Sequence, residues 1–155
     1  MPADHVLSDR ARGVAMALLA LEFLGIAWLV LNPSPATPTG AVYKVSAFVI
    51  ELGGPSWMAS TTGWEYLFNV ALFVPLGLLA ALVWEQVLLE EWVVLGFAVS
   101  AALELGQLTV LGERSATVSD LSANTIGTFL GAGSAALVLS VLTRRTARKR
   151  DTVLV

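Results

Sequence analysis

The chain contains no cysteine in 155 residues. Disulfides, thiol nucleophiles and thiolate metal sites are therefore excluded. Charge is scarce as well, at 14% of residues with 56% hydrophobic, whereas soluble domains carry about 25% charged residues. Mean hydropathy is +0.76. Too few polar residues remain to coat a water-facing surface, so a membrane is the expected solvent. No run alternates with the two-residue period of a β-barrel strand. No internal repeat or low-complexity tract is present, which leaves little support for an inverted-repeat transporter. The net charge of −3 says nothing about partners, because the charges are segregated along the chain.

Four apolar runs are present, at 13–31, 66–84, 92–111 and 121–143. Each is close to the roughly 20 residues that a bilayer-crossing helix requires. The expected fold is all-α: one domain over 1–155, an integral membrane bundle of four transmembrane helices with a basic tail at 144–155. The first run is longer than the core of a cleaved signal peptide and is read as a retained span. Of nine basic residues, seven lie at the chain ends: Arg10, Arg12, Arg144, Arg145, Arg148, Lys149 and Arg150. Basic residues favour the cytoplasmic side, so both termini are expected there, in a bacterial cell membrane. Trp28, Trp57 and Trp64 then fall at the outer boundary, and Trp84 and Trp92 flank the inner one, where indoles concentrate. The tail "RRTARKR" has a composition suited to RNA or anionic head groups. As a topology anchor it needs neither, and no nucleic-acid partner is expected.

The first outer loop begins "NPSPATPTG", whose prolines stop the helix and favour extended chain. In the following "AVYKVSAFVIEL", Val42, Val45, Val49 and Leu52 recur at helical spacing. That pattern predicts a short helix, lying on the outer leaflet or packed over the bundle. Pro75, inside the second run, is expected to kink its helix and free a carbonyl.

Polar residues gather on particular faces. Gly96, Ser100, Glu104 and Gln107 follow steps of four, four and three, as do Asp120, Asn124, Gly127 and Gly131 with steps of four, three and four. Such steps place residues on one helical face. Asn69 heads a similar row with Phe73, Gly77 and Ala80. Small residues let membrane helices approach closely, and Gly127 and Gly131 have the spacing of a packing motif, so these faces are expected to point into the bundle. Glu104 lies seven residues before the outer end of its run, roughly 10 Å below that boundary at 1.5 Å per residue. Asn69, Gln107, Asp120 and Asn124 lie nearer the surface, and the connecting loop supplies Arg114. Together these six form a candidate ligand-binding site opening outward.

Each member also has a plainer reading. Asp120 starts a helix, where a carboxylate caps free N–H groups. Asn69 and Asn124 can bond neighbouring helices, and Arg114 can pair with Glu113 on the surface. Glu104 is different, since an ionisable group within a span is a functional candidate by default. Glu22, mid-way along the first run with Leu18 and Gly25 on its face, is either a proton-relay group or a neutral structural carboxyl.

At "NVALFVPLG" (69–77), "SAALELGQ" (100–107), Arg114, Asp120 and "NTIGTFLG" (124–131), the sequence resembles the VanZ-like family of small bacterial membrane proteins. The resemblance covers residues 65–135 and reaches the first span by hydropathy alone. It implies a four-helix membrane protein with recurrent polar positions at Asn69, Glu104, Gln107, Arg114, Asp120 and Asn124, and glycines at Gly77, Gly127 and Gly131. The family's namesake accompanies a glycopeptide-resistance cluster and gives low-level resistance to teicoplanin-type lipoglycopeptides. Two departures stand out. Thr117 occupies a place that is acidic in many relatives. The histidine some relatives carry in the second helix is absent, His5 being the only one here. Both argue against a metal centre or histidine chemistry, and no cofactor is implied.

Two functions follow as expectations. In one, the outer site binds a lipid-linked cell-wall precursor or a lipidated glycopeptide, with Arg114 on a phosphate or carboxylate through its planar fork. In the other, Glu104 and Asp120 divide general acid and base roles on a lipid-linked substrate. The lack of cysteine, of a buried histidine, and of a base near Ser115 or Ser119 favours binding. A small transporter and a pure scaffold remain as further classes.

Overall fold

Each membrane-length helix begins where a side chain satisfies its first free N–H groups, the groups that have no partner within the helix itself. In the computed structural model, which describes residues 5–31, 36–111 and 117–153, Ser8 Oγ accepts from Ala11 N–H at 3.3 Å. Helix α1 (Asp9–Leu31) follows. Ser60 Oγ accepts from Gly63 N–H at 3.4 Å and opens α3 (Thr61–Val83). Helix α4 (Leu89–Leu111) opens in reverse, Leu88 N–H donating to Glu91 Oε2 at 2.9 Å. Thr117 opens α5 (Val118–Val153). These starts precede the expected ones by three to five residues, because caps and polar first turns lie outside an apolar window. Helix α5 also runs on through the basic tail, whose Ala, Arg and Lys are good helix formers once a helix exists to extend.

All four of these helices are long and apolar enough to cross a membrane, and no strand occurs among the described residues. The remaining helix, α2 (Ala36–Glu51), lies between α1 and α3 and is followed by a short 3-10 turn at Ser56–Ala59. Its start corrects the expectation of extended chain there: Pro38 sits in the first turn, where no N–H is required. It ends at Gly53, with φ of +83°. Gly53 N–H bonds Ile50 O, and Gly54 N–H bonds Val49 O, both at 2.9 Å. This is the glycine-terminated cap that a left-handed residue permits. Val42 and Ser46 are buried, and Ser46 Oγ donates to Ala59 O at 3.1 Å. Leu52, beyond the helix, is exposed rather than part of that buried row. Helix α2 therefore packs on α3 and the 3-10 turn, while Tyr43 and Phe48 on its other side are exposed.

The central pair is α3 with α5, joined next by α4 against α5 and then by α1 against α3. A Cβ added at Gly127 would strike Val70 O, and one at Gly131 would strike Val74 O and Leu78 N. At Gly77 it would strike the backbone of Thr128. The two backbones touch, which only glycine allows. Gly96 on α4 meets the Thr128 side chain in the same way, 2.8 Å from a notional Cβ. Pro75 lies within α3, which continues past it to Val83.

At the other end of the bundle, Trp92 is 6% exposed and packs with Ala80, Ala81, Ala132 and Ala135. Its indole fills space left by four alanines, so it belongs to the core and not to the expected interfacial belt. Trp84 and Trp28 are exposed; the Trp57 side chain lies outside the described residues. Arg12 Nη2 donates to Val83 O at 3.4 Å, placing a cation at the C-terminal end of α3, where the helix dipole favours it. Glu85 accepts from Val6 N–H at 2.7 Å and Leu7 N–H at 3.1 Å, tying the N-terminal segment to the α3–α4 turn. In α1, Ala15 and Ile26 are buried, Leu19 packs against the Trp92 cluster and against a second one of Ile26, Phe73 and Leu76, and Glu22 lies half-buried in that row. Leu18 and Gly25 are exposed, so they do not share its inward face.

Candidate functional site

The site begins at the first turn of α5. Thr117 Oγ1 accepts from Asp120 N–H at 3.1 Å and donates to Asp120 Oδ2 at 2.6 Å. The cap of α5 is therefore Thr117, and Asp120 stands three residues inside, both its N–H and its carboxylate bonded to the Thr117 hydroxyl. This corrects the expectation that Asp120 itself is the cap. The other carboxylate oxygen, Oδ1, accepts from Asn69 Nδ2 on α3 at 2.6 Å. Asp120 is thus held by two neutral donors, one from its own helix and one from a neighbour.

One turn deeper, Asn124 Nδ2 donates to Ser100 Oγ on α4 at 2.9 Å. Asn124 is 7% exposed and Ser100 0%. Thr128 Oγ1, below them, donates to Asn124 O at 2.9 Å. Asn124 Oδ1 is buried and has no hydrogen-bond partner among the described residues. Buried amide oxygens are rarely left so.

The pairs of residues in contact fix how the helices run. Asn69 meets Asp120 and Gly77 meets Thr128, so α3 and α5 are parallel. Gly96 meets Thr128 and Ser100 meets Asn124, so α4 is antiparallel to α5. Extending that register by one turn sets Glu104 level with Asp120 on the facing helix. Glu104 is 7% exposed. Gln107, one turn nearer the α4–α5 connection, is half-buried.

Five of the six candidates, Asn69, Glu104, Gln107, Asp120 and Asn124, therefore gather where α3, α4 and α5 meet, at the end of the bundle that bears the α4–α5 connection. Arg114 lies outside the described residues. Reasoning from sequence did not include Ser100, Thr117 and Thr128 among the site residues. Ser100 already stands in the polar row of α4, between Gly96 and Glu104, and Thr128 lies one turn beyond Asn124 on α5. Thr117 was marked by the threonine-x-x-acid spacing at a helix start. Among the described residues no group of three or more His, Cys, Asp or Glu side chains is placed to hold a metal ion.

A second space, a cavity of ≈ 240 Å³, lies at the opposite end, between Ala81, Trp92, Ala132 and Ala136. Its one charged lining residue is Glu85, whose carboxylate is already engaged by Val6 and Leu7.

A model of the VanZ/LLP1 family matches residues 17–139, which takes in α3, α4, every candidate residue and the greater part of α1 and α5. No curated protein and no solved structure matches the chain.

Proposed function

Because the chain belongs to the VanZ/LLP1 family and has four apolar spans, we propose that this multi-pass membrane protein binds the polar head of a lipid-linked envelope molecule or of a lipidated glycopeptide. The site faces outward from a bacterial cell membrane, and its action contributes to low-level resistance to teicoplanin-type lipoglycopeptides. The observation that supports this most directly is the buried pair Asn124–Ser100 beneath Asp120 and Asn69. Polar side chains from three spans converge there, where a membrane bundle spends polar groups sparingly. Arg114, which the sequence places between α4 and α5, is assigned the contact with a phosphate or carboxylate, through two parallel N–H bonds.

Catalysis is the second reading, favoured by the level placement of Glu104 and Asp120. Asp120, however, accepts two short hydrogen bonds, which hold it as an acceptor and leave only Glu104 to move a proton.

The test is lipoglycopeptide susceptibility of cells expressing variants at matched membrane levels. Arg114→Ala is expected to abolish protection while the protein stays folded, and Arg114→Lys to restore little of it, because an ammonium cannot form the paired bonds of a guanidinium. Wild-type protection by Arg114→Ala would remove the anion contact and reduce the polar residues to helix-packing groups.

A further inference from the structure

The cavity beside Trp92 differs in kind from the polar end. Of its eight lining residues seven are apolar, and the eighth, Glu85, already spends both carboxylate oxygens on Val6 and Leu7 N–H. Ala81, Ala132 and Ala136 present single methyl groups, too short to meet across the gap between α3, α4 and α5. Water is a poor filler for such a space, because it needs roughly two to four polar partners. An apolar void of about 150 Å³ takes up benzene, with six carbons. At the same packing, ≈ 240 Å³ holds roughly ten carbon atoms.

The hollow runs along the helices. Ala132, Ala136 and Leu139 follow steps of four and three on one face of α5, covering about 10 Å at 1.5 Å per residue. The contacts of Gly77 and Gly96 with Thr128 fix the register of the three helices. By that register Ala81, Trp92 and Ala132 form the inner end, and Glu85, Leu89 and Ala136 the next level out. Leu89 and Ala136 are exposed, and both lie in apolar spans. The hollow therefore opens sideways to bilayer hydrocarbon, with its long axis parallel to the spans. We infer that it is a binding groove for one acyl chain of a bilayer phospholipid, entering from the leaflet on the side of the α3–α4 turn. Ala136 sets the width of the groove, and Trp92 closes its inner end. The groove is independent of the polar site at the other end of the bundle.

The experiment is quenching of Trp92 fluorescence by brominated acyl chains, with the full-length protein in phosphatidylcholine nanodiscs. Bromine quenches an indole only at close range. Trp92 is 6% exposed and packed among alanines, so bulk lipid does not reach it, whereas a chain in the groove lies against it. Replacing Trp28, Trp57, Trp64 and Trp84 by phenylalanine isolates its signal. A second protein that keeps only the exposed Trp84 reports ordinary lipid contact. Trp92 is expected to lose emission in phosphatidylcholine brominated part-way along one chain, relative to the unbrominated lipid. Ala136→Phe, which fills the groove, should abolish that loss. Val138→Phe, at an exposed position of α5 outside the lining, should leave it intact. An unquenched Trp92 beside a quenched Trp84 overturns the groove, and so does quenching that survives Ala136→Phe. Ala136→Leu takes the place of Ala136→Phe if the larger side chain prevents folding. Should the tryptophan replacements not fold, native mass spectrometry of the unmodified protein and Ala136→Phe decides. The variant should retain one phospholipid fewer, and equal retention overturns the inference. Quenching by a brominated free fatty acid but not by the phospholipid overturns the carrier. A dimer that Ala136→Phe dissociates, with Trp92 unquenched, assigns the groove to a second copy of the chain and overturns the lipid.

Discussion

The Asn69 amide on α3 donates to the Asp120 carboxylate on α5 across 2.6 Å, joining the two most extensively packed helices of the protein beside its candidate site. Removing either partner alone leaves the other short of a bond. We expect a double-mutant cycle of Asn69→Leu and Asp120→Ala to return a coupling of about 0.6–2 kcal/mol, the range for interhelical hydrogen bonds in membranes. Reversible unfolding in mixed micelles measures it. Additive losses would show that the two side chains do not act together.

Thr117 offers a separate handle on the same carboxylate. Thr117→Ala removes the cap of α5 and one of the two donors to Asp120. A stability loss of about 1 kcal/mol is expected, with Thr117→Ser close to wild type. A Thr117→Ala protein as stable as the parent would mean that the cap is dispensable.

The glycines separate tight packing from open surface. Gly131→Ala places a methyl group against the α3 backbone at Val74 and Leu78, whereas the same change at Gly133 meets nothing within 4 Å. Overpacking costs about 1–3 kcal/mol, so Gly131→Ala, and more so Gly131→Leu or Gly127→Leu, should lower the thermal midpoint in detergent. Gly133→Ala should leave it level or raise it. Equal midpoints for Gly131→Ala and Gly133→Ala would place α5 against lipid at this face.

Much of this arrangement is legible in the sequence because hydrophobic length and four-residue spacing are local. Spans, polar rows and the Gly127–Gly131 packing face all follow from those two properties. Contacts between helices are not local. That Asn124 meets Ser100, and that Trp92 settles among four alanines, depends on the register between separate helices, which no single helix encodes. The helix starts at Asp9 and Thr61 escape a hydropathy reading because capping residues are polar. The continuation of α5 to Val153 escapes it because helix propensity outlasts apolar character.

Glu104 distinguishes binding from catalysis. If it orients a ligand, Glu104→Gln keeps shape and part of its hydrogen bonding and should protect cells better than Glu104→Ala. If it transfers a proton, the two variants should fail alike. Susceptibility at matched expression reads the difference, and parity between them refutes the binding role.

Orientation follows from the bias of basic residues to the chain ends. With both termini cytoplasmic, an impermeant thiol reagent applied to whole cells should label Ser115→Cys and spare Thr146→Cys. The reverse pattern would turn the site toward the cytoplasm.

The direct backbone contact between α3 and α5 constrains how this protein can move. Side chains that interlock through flexible ends can slide in small increments, but two backbones seated through Gly77, Gly127 and Gly131 cannot shift along each other without colliding. The pair is therefore a fixed post. Any relative motion of the helices is left to those held by fewer contacts. Helix α4 meets the post through Gly96 against Thr128 and Ser100 against Asn124, so a tilt of α4 alone would part the Ser100–Asn124 bond while leaving the post intact.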